Sequence, residues 1–106
     1  WSTPEIVSTP GNLNIYSSMP RALLDRRGLL HIVFNQRANT GSVDQVWHRS
    51  LDTGRIALGW SPAVNVSRAT QPAWLERLHL DSQDGLHVFF RAVPGTGASQ
   101  LHHART

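Results

Sequence analysis

Apolar and polar positions alternate along much of this chain with a period of two, the spacing of a β-strand that covers one face. Val46–Ser50 and Leu101–Thr106 follow that pattern. Leu29–Phe34 and Leu86–Phe90 are apolar at almost every position, which predicts strands buried on both faces. Shorter strands are predicted over Arg21–Leu24 and Arg77–Leu80. Trp1–Ser8 and Trp60–Ser67 contain proline and read as edge strands, where a missing N–H is tolerated. Turns are predicted at the breakers Asp25-Arg26-Arg27-Gly28, Asn39-Thr40-Gly41, Asp52-Thr53-Gly54, Asp84-Gly85 and Pro94-Gly95-Thr96-Gly97. No stretch of ten or more residues carries a helical stripe.

The strands recur. Arg21 to Phe34 aligns with Arg77 to Phe90 at an offset of 56, with Arg, Leu, Asp, His and Phe at matching places. Trp1-Ser2 aligns with Trp60-Ser61, and Gln45 to Ser50 with Gln100 to Arg105. Lettering the strands of one unit a to d from the inside outward, the chain reads d, a, b, c, d, a, b, c. That order predicts an all-β fold, a β-propeller with two four-stranded blades per chain. Residues 1–10 form an outer strand that completes a partner's blade or the last one. Residues 19–67 form the first blade, and 75–106 a second that lacks its outer strand. Two blades cannot close a ring, so closure by homo-oligomerisation is expected, a homotrimer giving six blades.

Charge narrows the partners. The net charge is +3, and all ten basic residues are arginines scattered along the chain. Nucleic-acid binders concentrate such charge in one stripe, so no nucleic-acid partner is expected. The absence of cysteine excludes disulfides and thiolate metal sites. No apolar run reaches the roughly 20 residues of a membrane helix, so no membrane insertion is expected. The chain begins at Trp1, which suggests a removed leader or an excised or engineered segment. A secreted and a bacterial cytoplasmic location both remain open.

Ser50-Leu51-Asp52-Thr53-Gly54, followed by Trp60, resembles the Asp-box of sialidase-like propeller repeats, Ser-x-Asp-x-Gly-x-Thr-Trp. Three extra residues separate Gly54 from the tryptophan, and the threonine is replaced. The segment Asp-x-x-Gly-x-Leu-His-Val-x-Phe is similar to the same repeats. In organisation the chain is similar to two-blade propeller lectins that assemble themselves. The resemblance implies a propeller whose Asp-box is a structural turn rather than a catalytic element, so it carries no expectation of sialidase activity.

His31 and His87 hold equivalent places on strand b and read as inter-blade histidines with backbone partners. His102 and His103 point to opposite faces and cannot chelate one metal together, so no metal and no cofactor is expected. Trp74 has no aromatic counterpart, since Ser18 stands at that place, and is assigned to the connection between strands d and a as a stacking platform. Arg21 and Arg77 start the inner strands. The ligand-binding set is Trp74, Glu76, Arg77 and Arg21, with Trp47 and Arg49 in addition. The only tyrosine is Tyr16, the only glutamates are Glu5 and Glu76, and no catalytic set is identifiable. A non-catalytic, lectin-like module with a glycan ligand between blades is the leading expectation. An engineered or excised self-assembling segment without ligand is the alternative.

Overall fold

The computed structural model describes residues 1–8, 17–37, 42–95 and 97–106. Tyr16, the turn at Asn39–Gly41, Thr96 and the end of the expected first outer strand lie outside them. The described residues form seven strands and no α-helix: β1 (Ser17–Leu24), β2 (Leu29–Arg37), β3 (Asp44–Asp52), β4 (Val64–Asn65), β5 (Ala73–Leu80), β6 (Leu86–Ala92) and β7 (Gln100–Arg105). They build two antiparallel sheets, ordered β1-β2-β3-β4 and β5-β6-β7. The fold is therefore all-β.

The two sheets repeat each other in register. Arg21 pairs with Val33 in the first, and Arg77 with Phe89 in the second. Both carry a bulge just before that pair, between Ser18 and Arg21 and between Leu75 and Arg77. The hairpin turns match as well. Gly28 adopts φ +85°, and Asp84 takes the left-handed place (φ +61°) in the second turn. Gly85 is required for a different reason: a Cβ there would stand 2.5 Å from Asp81 Oδ2.

Two expectations are corrected. Trp74 lies within β5, paired with Arg91, and not in a connecting loop. The outer strand expected over residues 60–67 shortens to Val64–Asn65, preceded by one bridge from Leu51 to Trp60. Between them the chain turns through Ile56–Leu58 as a 3-10 helix. Residues 1–8 form no strand within the chain.

The core lies between the sheets. Val33 and Val46 of the first pack with Ala73, Leu75, Leu86, Val88 and Phe90 of the second. Polar latches fix how they meet. The Asn35 amide, 1% exposed, donates to Ala73 O at 2.6 Å and accepts from Leu75 N at 2.9 Å. Gln45 gathers the chain that links the sheets: Nε2 donates to Gln71 O, and Oε1 accepts from Ser67 Oγ and Ala69 N. At the turn end, Arg26 joins the second turn by donating to Asp84 Oδ1 and Ser82 O.

Asn35→Ala strands two buried backbone groups, each worth about 1–3 kcal/mol when left unpaired. A loss of about 2–4 kcal/mol in urea unfolding is expected, with secondary structure unchanged in the folded baseline.

Candidate functional site

The hairpin turn between the first two strands of each sheet holds a carboxylate that reaches forward to a histidine six residues on. Asp25 accepts from the Arg27 and Leu29 amides and from the Arg27 side chain. Asp81 accepts from the Gln83 and Gly85 amides. Each carboxylate then takes a ring N–H: Asp25 Oδ2 meets His31 Nε2 at 3.0 Å, and Asp81 Oδ2 meets His87 Nε2 at 2.8 Å. The chain of contacts continues. His31 Nδ1 lies 3.0 Å from His48 Nε2, and His87 Nδ1 lies 2.9 Å from His103 Nε2. The paired rings are stacked, with interplanar angles of 25° and 9°.

The expected backbone partners of the two strand histidines are thus replaced by side chains. The reason is geometric: on a strand, the backbone groups beside His31 are taken by the ladder, while the turn carboxylate, already oriented by the turn amides, keeps a lone pair aimed at the ring. An ionised carboxylate can only accept, so it fixes the proton on Nε2. The contact between the two imidazoles then holds one proton between two nitrogens and is lost when both carry one. Both ring nitrogens of His31 and of His87 are engaged, so neither imidazole has a free position for general base work.

The charges follow from this arrangement. Burial works against ionised Asp25, but the hydrogen bonds from His31, Leu29 and Arg27 overcome it and hold the carboxyl well below its ordinary range. Asp81 is held low first by its hydrogen bond to His87 and then by the Gly85 and Gln83 amides. Burial, and secondarily the charge of His31, pushes His48 down from 6.5 to about 4. As expected, His102 and His103 point apart: His102 stacks on Phe90, and His103 on Phe89. Among the described residues no group of three or more His, Asp or Glu is placed to hold a metal ion, and no helix is long and apolar enough to cross a membrane.

Three residues of the expected ligand set come together. The strands β1 and β5, each the first edge of its sheet, lie side by side. Between them a cleft of about 290 Å³ is lined by Arg21, Glu76 and Arg77, with Ala22, Leu23 and Leu78. The bulge before Arg77 leaves Glu76 and Arg77 exposed in succession, breaking the alternation that would have turned one of them inward. Trp74 does not line this cleft. The Arg91 guanidinium lies over its ring, 5.7 Å from the centroid, and pairs with Glu76 at 3.3 Å. Trp74 is therefore linked to the cleft through Arg91 and then Glu76.

Trp47 and Arg49 stand elsewhere and serve the fold. Trp47 Nε1 donates to Gln36 O. Arg49 donates to Ser61 O and Val7 O. The Asp-box-like turn is structural too: Asp52 accepts from the Gly54 amide and from Arg55. Sequence reasoning did not join each aspartate to its histidine. The signal was present, since the same six-residue Asp-to-His spacing occurs at 25 and 31 and again at 81 and 87.

No protein-family description, curated protein or solved structure matches the chain at a significant level.

The depressed His48 sets a pH dependence. Above about pH 6.5 the ring is neutral whether the chain is folded or not. As pH falls from 6.5 to about 4, the unfolded chain takes up a proton that the folded one refuses. Stability therefore drops across that window, by roughly 2–3 kcal/mol when complete. The Asp25 contribution is present above its ordinary value of 3.8 and disappears only at more acid pH. Urea midpoints measured from pH 7 to pH 4 should fall steadily, and His48→Gln should flatten the slope. An equal slope in the variant would exclude His48 as its source.

Proposed function

We propose that the chain is a non-catalytic binding module of the β-propeller type. In this reading each sheet is a blade, and further copies, three in the simplest ring, supply the missing blades. The ligand class is a glycan, bound where two blades meet. One observation carries the binding reading: the cleft between the inner strands sets Arg21 against the adjacent Glu76 and Arg77. Planar guanidinium forks and a carboxylate suit the paired hydroxyls of a sugar. The indole of Trp74 supplies an apolar face nearby once Arg91 swings aside.

The second reading, a self-assembling segment without ligand, is favoured by how much of the aromatic and arginine inventory is engaged within the fold. Trp47 and Arg49 donate to backbone carbonyls, and the Trp74 ring is covered by Arg91.

Glycan screening separates the two. The assembled wild type should bind a restricted set of glycans. Arg77→Ala should weaken binding at least about tenfold, the loss of roughly one charge-assisted hydrogen bond. Trp74→Ala should abolish it, with an unchanged circular dichroism spectrum in both variants. An assembled wild type that binds no glycan would leave the second reading in place.

A further inference from the structure

The two faces of the second sheet meet different surroundings. One carries Leu75, Leu86, Val88 and Phe90 and packs on the first sheet. The other carries His87, Phe89, Arg91, Leu101 and His103, and a groove of about 610 Å³ runs over it between Phe89 and Leu101. The repeat supplies a template for that second face. Phe89 stands where the first sheet has Val33, Leu101 where it has Val46, Arg91 where it has Asn35, and the two histidines where it has His31 and His48. In the first sheet those places are covered: Val33 and Val46 are 0% exposed, whereas Leu101 is 71% exposed. The same face is thus closed in one unit and uncovered, among the described residues, in the next.

The occupant follows from what does the covering. Within the chain it is the ridge of Leu86, Val88 and Phe90. The first sheet has the matching ridge at the same repeat positions: Leu30 and Ile32, both half-buried, and Phe34, which the chain itself already buries at one end. We propose that the uncovered face of the second sheet docks the ridge face of the first sheet of a second copy, head to tail. This rests on the self-assembly part of the reading above and names its interface. Such a contact uses two different surfaces, so it propagates until its rotation closes a ring.

The joint between copies differs from the one within the chain. The repeat places Ser82 where Arg26 stands, so the clamp from Arg26 to Asp84 has no counterpart. Arg91 replaces Asn35 and can donate a hydrogen bond across the joint but cannot accept one. The copy-to-copy joint is therefore the weaker of the two. Arg49, opposite Ile32 in the first sheet, holds Val7 O, so the segment that carries Val7 borders the docking ridge.

The test combines sedimentation velocity with a designed cross-link. Leu101→Arg should turn a discrete oligomer into a monomer with an unchanged circular dichroism spectrum. Leu75 N bonds Asn35 within the chain, and the repeat equivalents of this pair are Met19 and Arg91. The protein has no cysteine, so in Met19→Cys with Arg91→Cys disulfides form only among the introduced positions, and each single variant shows what same-position pairing alone gives. Oxidation should give a covalent multimer in the double variant, with no ladder in either single variant. If Leu101→Arg misfolds, the cross-link decides alone. An oligomer that survives Leu101→Arg and gives no covalent ladder would overturn this face while leaving self-assembly standing. A wild type that stays monomeric at every concentration would remove both.

Discussion

Asn35 is 1% exposed between two apolar sheets, so both ends of its amide must find partners on the opposite sheet. It finds them in one carbonyl and one N–H of β5, and those two bonds fix the second sheet in a single position along the first. Hydrophobic contact alone would not do so. Val33, Val46, Leu75, Leu86 and Val88 are smooth aliphatic side chains that could pack in several neighbouring registers. The amide converts a contact of the right area into one of defined geometry. Gln45 acts in the same sense on the linking chain, and Arg26 on the turns. The cleft between β1 and β5 owes its shape to these latches, because nothing in either strand by itself dictates where the other lies.

The Asp–His–His chains show how the same repeat behaves in two environments. In the first sheet the chain is buried and tied by an additional arginine, Arg27. In the second, the glutamine at the matching place lends only its backbone amide, and the outer imidazole is exposed. The geometry is nevertheless nearly the same, which says that the turn carboxylate, held by two backbone amides in each case, organises the histidines without help from burial. A local motif of seven residues, from the aspartate to its histidine, therefore carries its own structure.

Much of the architecture was legible in the period-two pattern. The strands predicted over Leu29–Phe34, Val46–Ser50 and Leu86–Phe90 all lie inside observed strands, because alternation and β-branched content report burial directly. The ends were not legible. Asn35 and Gln36 continue β2 beyond Phe34, yet their polarity reads as the start of a loop until a partner sheet is known to need them. Trp74 was misplaced for a similar reason: Pro72 just before it signals a break, and its counterpart Ser18 gives no hint of a strand. Of the ligand set, Arg21, Glu76 and Arg77 share a cleft because the repeat placed them on equivalent strands. Trp47 and Arg49 could not be separated from them by sequence, since their engagement depends on main-chain carbonyls of Gln36 and of residues distant along the chain.

The bulge that interrupts β1 and β5 at the same place has an effect on the chain's neighbours as well as on its own strands. Both are edge strands lying side by side, and two regular edges in that position would be free to zip into one seven-stranded sheet. A bulge on each disrupts the ladder of donors and acceptors and increases the local twist, so neither edge offers a straight template. The same irregularity that turns Glu76 and Arg77 outward also keeps the inner edges from recruiting strands of other molecules. Protection against fibril growth is thus built into the backbone at this edge.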